Sequence, residues 1–121
     1  METQRMSISH EDIARVAHGV NRTYCKTLLA DDSQVAWKDA PEWQKESALQ
    51  GVRILVQDPS IMPETMHENW MQFKISQGWT YGPNKREDVR QHPCMIPYYE
   101  LPLEQRVKDY LFRTVVLELL K

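Results

Sequence analysis

Two short runs hold most of the side chains able to do chemistry. Gly78-Trp79-Thr80-Tyr81-Gly82-Pro83 is followed by His92-Pro93-Cys94-Met95-Ile96-Pro97. They place two aromatic rings, an imidazole and a thiol in a stretch whose glycines and prolines break helical structure. Such residues stack on, and hydrogen-bond to, a small planar molecule. Trp70, in the helical pattern just upstream, adds a third ring. Trp70 and Trp79 can clamp a planar ligand, with stacking on an aromatic contributing about 1–3 kcal/mol per base in nucleic-acid binders. The competing reading is that both fill the core, which a small domain needs. Tyr81 stands two residues beyond Trp79, so in an extended chain both face the same way. His92 is held out of helix by Pro93. It can donate to a carbonyl, a phosphate or a ring nitrogen, or simply brace the loop. Lys85, Arg86 and Arg90 can meet an anionic group, although Glu87 and Asp88 among them also describe a solvated mixed-charge turn.

Other chemistries find little support. The four histidines and two cysteines are scattered, with no C-x-x-C and no H-x-x-x-H, so no metal is expected. Cys94 and His92 lack an orienting acid at a recognisable spacing, so a thiol nucleophile is not expected. No G-x-G-x-x-G or Walker sequence is present, and Gly78 and Gly82 read as turn residues. Glu64, His67 and Glu68 can be drawn as an acid–base set, as can many helices of this composition. The expectation is a protein without catalytic residues or a cofactor.

Four helices must position these residues. Ser9 caps a helix over about 9–29, with Ile13, Val16, Ala17, Val20, Tyr24 and Leu28 as its apolar stripe. A second begins near Pro41, buries Trp43, Ser47, Gly51 or Val52, and Leu55, and stops at Asp58-Pro59. Gly51 costs about 1 kcal/mol relative to Ala in a helix, which suggests a close helix contact. A third runs over about 63–77, with Met66, Trp70, Phe73 and Ile75 inward and Gly78 as its terminator. The long segment after it is rich in Trp, Tyr, Cys and Ile, which argues for order. Short strands are expected at Thr80-Tyr81 and Cys94-Ile96, with an exposed turn at 84–88. The last helix opens at Pro102, with Val107, Tyr110, Leu111, Thr114 and Leu117 on one face. The fold class is therefore mainly α: a small helical bundle with a short β-like segment before the last helix.

The order of these features resembles a known family. Glu68-Asn69-Trp70, the W-x-Y-G-P run at 79–83, a charged turn, His92-Pro93-Cys94 and the L-P-x-x-x-R run at 101–106 are similar to the ryanodine receptor repeat domain, called RyR or RY. Upstream, Val20-Asn21-Arg22-Thr23-Tyr24 and Pro41-Glu42-Trp43-Gln44 resemble its stand-alone prokaryotic and phage version, so the resemblance extends from about Ile13 onward. It implies a non-catalytic module that senses or binds a nucleotide-derived ligand, adenine-containing or cyclic. By motif position it implies ligand roles for Trp70, His92 and Cys94, and side-chain chemistry adds Trp79, Tyr81, Lys85 and Arg86 to the expected ligand set. Family repeats pair in tandem, so a single repeat implies a homodimer. The alternative is a protein-interaction module without a small ligand, using the faces of the first and last helices.

Bulk properties bound these readings. A chain of 121 residues suits one domain. The 41% hydrophobic content, with four Trp and five Tyr, supports a modest core. Net charge is −2 and the isoelectric point about 6.1, so the basic footprint of a DNA or RNA binder is missing. No run approaches the length of a membrane span, and the first residues lack a signal-peptide pattern. Cytoplasmic residence with reduced thiols is the expectation. Residues 1–8 are expected to be a flexible terminus.

Overall fold

The computed structural model describes residues 8–121. The expectation for the terminus thus falls outside the described residues, except at Ile8, which packs against the core. The chain forms α1 (His10–Leu28), a 3-10 turn (Trp37–Asp39), α2 (Glu42–Gln57) and α3 (Pro63–Ser76). Then come β1 (Thr80–Tyr81), β2 (Gln91–His92), a second 3-10 turn (Tyr98–Glu100) and α4 (Leu103–Leu120). The mainly helical bundle is as read from the sequence. No described helix is long and apolar enough to cross a membrane.

Local chemistry sets the boundaries. Ser9 Oγ accepts the Asp12 N–H at 3.0 Å, and Glu11 and Asp12 sit in the first turn of α1. Each other helix starts at a proline: Pro41 and Pro102 are N-caps and Pro63 is the first helical residue. Helix α3 ends in a Schellman motif. Gly78, at φ +87°, bonds back to the Ile75 carbonyl at 2.9 Å, and Trp79 N–H reaches the Lys74 carbonyl at 3.0 Å.

The core gathers Ile13, Ala14 and Ala17 of α1 with Val52 and Leu55 of α2, Met66 of α3 and Val116 of α4. The expected close approach at Gly51 is present: a Cβ there would meet the Phe112 ring at 2.8 Å. Two of the expected stripes are rotated. In α1 the buried side is Ile13, Ala14, Ala17, His18 and Cys25, and Leu28 is 70% exposed. In α4 the buried residue is Val116, Tyr110 is largely exposed and Thr114 faces out. In α3, Ile75 is exposed and Lys74 is buried in its place. The cause lies inside: these helices also turn polar side chains inward, so counting apolar residues misplaces part of each buried face.

The strands pair in parallel, Thr80 with Gln91 and Tyr81 with His92. The second lies earlier than the expected Cys94-Ile96. Pro93 has no N–H to extend a ladder. Cys94 N–H instead donates to His92 Nδ1 at 3.0 Å, and Met95 N–H to the His92 carbonyl at 3.3 Å. These bonds curl the chain into a turn. A Cβ on Gly82 would meet Gln91 Cβ at 2.7 Å, so this strand pair closes only over glycine. Gly82→Ala is expected to lower stability by about 1–3 kcal/mol, the usual range for overpacking. The urea midpoint measures it, and an unchanged midpoint would show that Gln91 yields without cost.

Candidate functional site

All four helices and the segment around β2 surround a cavity of about 280 Å³. Helix α1 contributes Ala17, His18 and Asn21, and α2 contributes Trp43, Gln44 and Gly51. Helix α3 contributes Met66, His67, Trp70, Phe73 and Lys74. Lys85, His92 and Cys94 come from the irregular segment, and Gln105, Lys108, Asp109 and Phe112 from α4. The wall is aromatic, interrupted by amides and three ammoniums.

Lys74 is the least ordinary of these groups. It is 2% exposed. Its Nζ lies 4.2 Å from the Trp43 ring centroid and 4.9 Å from that of Trp79. No carboxylate lies within ion-pair distance of it among the described residues. Burial, and then the nearby charge of Lys85, pull its pKa down to about 8, with Glu87 acting the other way. Cation–π contact offsets part of the desolvation cost, by about 0.5–2 kcal/mol per ring in favourable sites. The Schellman motif holds this arrangement, because it ties the Lys74 carbonyl to Trp79 N–H.

His92 stands between the rings, 5.2 Å edge-on to Trp70 and 6.3 Å from Trp79. Its Nδ1 accepts from Cys94 N–H, so Nε2 carries the proton of the neutral ring. Burial, then the charges of Lys85, Lys74 and Lys108, push its pKa down to about 3. Burial likewise pushes the Cys94 thiol up to about 11. Asp109 Oδ2 is buried without a hydrogen-bond partner. Its neighbour is His67 Nδ1 at 4.0 Å, whose other nitrogen donates to the Ile96 carbonyl at 2.8 Å. A carbonyl only accepts, so His67 Nε2 carries a proton. Burial raises Asp109 to about 7 against the opposing pull of Lys108.

Of the residues singled out from sequence, Trp70, Lys85, His92 and Cys94 line the cavity. Trp79 does not line it. It is 2% exposed and packs behind Trp43, with centroids 4.9 Å apart. Tyr81 is 55% exposed and points elsewhere. The same-face argument fails because Trp79 belongs to the helix terminator and only Thr80 and Tyr81 are strand. Arg86 is exposed and paired with Asp88 at 2.8 Å. The sequence reading did not single out Lys74, His67, Asp109 or Lys108 for the ligand, and it placed Trp43 only in a buried stripe. Met66, Trp70 and Lys74 recur at four-residue steps, so a lysine inside an apolar stripe was the available signal.

Fold and cavity together define a small helical domain with a ligand-sized, aromatic-walled interior. Residues 55–121, more than half of the chain, match the RyR domain family, and the chain belongs to it. The matched region holds α3, the irregular segment with its strand pair and α4, which supply Trp70, Lys74, Lys85, His92, Cys94 and Asp109. The upstream part of the resemblance, α1 and the start of α2, lies outside the matched residues.

Asp109 gives this site a testable pH signature. Its folded pKa of about 7 exceeds the ordinary 3.8, so the folded protein binds the extra proton between those values. Stability attached to the neutral acid is present at low pH and is lost as pH rises through about 7. Asp109→Asn should therefore raise the melting temperature at about pH 8 by about 3–6 °C and by almost nothing near pH 4. Melting curves across that range test it, and a gain independent of pH would contradict it.

Proposed function

We propose that this RyR domain is a non-catalytic module that binds a small, planar, anionic molecule in its internal cavity. The favoured class is nucleotide-derived, adenine-containing or cyclic. The observation that carries this reading is Lys74, a buried ammonium with no acidic partner, set on the wall of an aromatic cavity. An unpaired buried charge destabilises a fold. An anionic ligand would supply the missing counter-charge. Trp43, Trp70 and Phe112 offer faces for a planar ring, and Asn21, Gln44 and Gln105 offer amide donors and acceptors. The volume of about 280 Å³ sits at the small end of ligand pockets, which suits a mononucleotide and disfavours a dinucleotide. Cys94 keeps its proton and His92 stays neutral, so neither is poised for nucleophilic or acid–base work.

A thermal-shift panel of AMP, ATP, ADP-ribose and cyclic mono- and dinucleotides tests the reading. A ligand confined to the folded state adds about 2.7 kcal/mol at a hundredfold excess over Kd. A mononucleotide-sized ligand is expected to raise the melting temperature. Lys74→Met, which removes an uncompensated buried charge, is expected to melt no lower than the parent and to lose the shift. Absence of any shift across the panel would remove the proposal.

A second reading has its own observation. Val16, Val20, Thr23, Tyr24 and Leu28 of α1 line a shallow outer hollow with Leu111 of α4. This apolar face suits association with another protein surface, and the homodimer expected from the paired family repeats would use it. Size exclusion with light scattering should then show a dimer that Leu28→Glu dissociates. A monomer at high concentration would count against it. We place the protein in the cytoplasm, where Cys25 and Cys94, both free, would stay reduced.

A further inference from the structure

We propose that the anionic group this cavity selects is the dianion of a phosphate monoester, in preference to the single charge of a cyclic or bridging phosphodiester. The inference rests on the ligand reading above and adds the charge that the ligand must carry. Lys74, Lys85 and Lys108 reach the cavity from α3, from the segment before β2 and from α4. Lys74 and Lys85 share the ring of Trp43, with Nζ atoms 4.2 and 5.6 Å from its centroid.

Little on the wall offsets them. Asp109 is the one carboxylate among the lining residues, and its Oδ2 is buried beside His67. Cys94 is a thiol, and Glu87 acts on Lys74 without lining the cavity. A monoanion facing Lys74 and Lys85 leaves one ammonium uncompensated. The deficit costs most at Lys74, which is 2% exposed. A dianion compensates both and makes charge-assisted hydrogen bonds to each. Lys85 stands on an exposed turn, and its flexible stem can follow the ligand.

The ionisation of the ligand separates the two cases. A monoester gains its second charge near pH 6, whereas a cyclic diester has no ionisation there. The titratable groups that share the cavity wall with Lys74 are His18, His67, Lys85, His92, Cys94, Lys108 and Asp109, with Glu87 outside it. Asp109 ionises in the same range and repels the dianion more than the monoanion, so its titration opposes the expected rise of the affinity ratio with pH and cannot produce it.

The experiment is calorimetric titration of the whole chain with AMP, adenosine 3′,5′-cyclic monophosphate and adenosine, in a phosphate-free buffer of low ionic strength. The parent, Lys74→Met and Lys85→Gln are compared. At about pH 7.5, AMP should bind the parent at least about 30-fold more tightly than the cyclic monophosphate. That ratio should shrink to a few-fold at about pH 5.5, where the monoester is mostly a monoanion, and in each variant. Lys85→Gln changes an exposed turn residue, so it keeps the test open if Lys74→Met fails to fold. Equal or tighter binding of the cyclic monophosphate at the higher pH would overturn the inference while leaving nucleotide binding intact. So would a ratio unchanged by pH and by Lys85→Gln. Failure of every nucleotide to bind would remove the ligand reading and this inference with it.

Discussion

Burial of the Lys74 ammonium between two tryptophans is the constraint on which the rest of this structure turns. A lone charge in a protein interior requires either a counter-ion or polarisable surroundings. This domain supplies the second. Trp43, near the start of α2, and Trp79, just beyond α3, present their rings to the same nitrogen. That places the start of α2 against the end of α3. The left-handed Gly78 then swings the chain so that Trp79 falls under the lysine and not past it. Parallel pairing of β1 with β2 carries His92 back toward the same rings, where its turn delivers Cys94 to the cavity.

This arrangement has a thermodynamic consequence for a chain of this size. Small domains bury a modest share of their surface and stand near the stability threshold. Here the interior is given partly to an open space and to groups that would be more stable in water. Lys74, Asp109 and His92 are all shifted toward their neutral forms by burial. Selection for stability alone would replace them with aliphatic side chains, as it can replace buried ion pairs elsewhere. Their presence fits a fold whose final stability includes a bound molecule. Three lysines on an aromatic wall give the cavity a positive field.

The same feature explains what the sequence could convey and what it could not. Helix number, proline starts and the glycine terminator of α3 follow from short-range stereochemistry, so they were legible. So was the concentration of ligand-capable residues near His92, since Trp70, Lys85, His92 and Cys94 meet at one cavity. Face assignment failed where the interior is polar. His18, Asn21 and Cys25 turn inward on α1, and Gln105, Asp109 and Phe112 on α4, while Val20, Leu28 and Leu111 stay outside. Periodicity of apolar residues assumes a wholly apolar core, and where polar side chains also turn inward it misplaces part of the buried face. Lys74 was missed for the same reason, because a lysine in an inward stripe is ordinarily read as an exception to it. Tyr81 and Arg86 were chosen for their chemistry, and only the path of the backbone directs them to solvent.

The electrostatics of the cavity also bear on what kind of module this is. Catalysis by proton transfer needs a group whose two protonation states are both accessible near neutral pH and within reach of a reacting atom. His92 is held as a neutral ring by burial, then by the charges of Lys85, Lys74 and Lys108, and its Nδ1 is taken up by Cys94 N–H. Cys94 is fixed as a thiol by burial. Asp109 does titrate near neutrality, but its Oδ2 is shut away beside His67. What persists through the physiological range is a positive field from lysines on three different elements. Such a field stabilises an anion at rest more readily than it moves a proton. Closing on an anion would draw α3, α4 and the segment carrying Lys85 toward a common charge. Among the described residues Lys74 has no carboxylate at ion-pair distance, so an anion held there would act on all three elements at once.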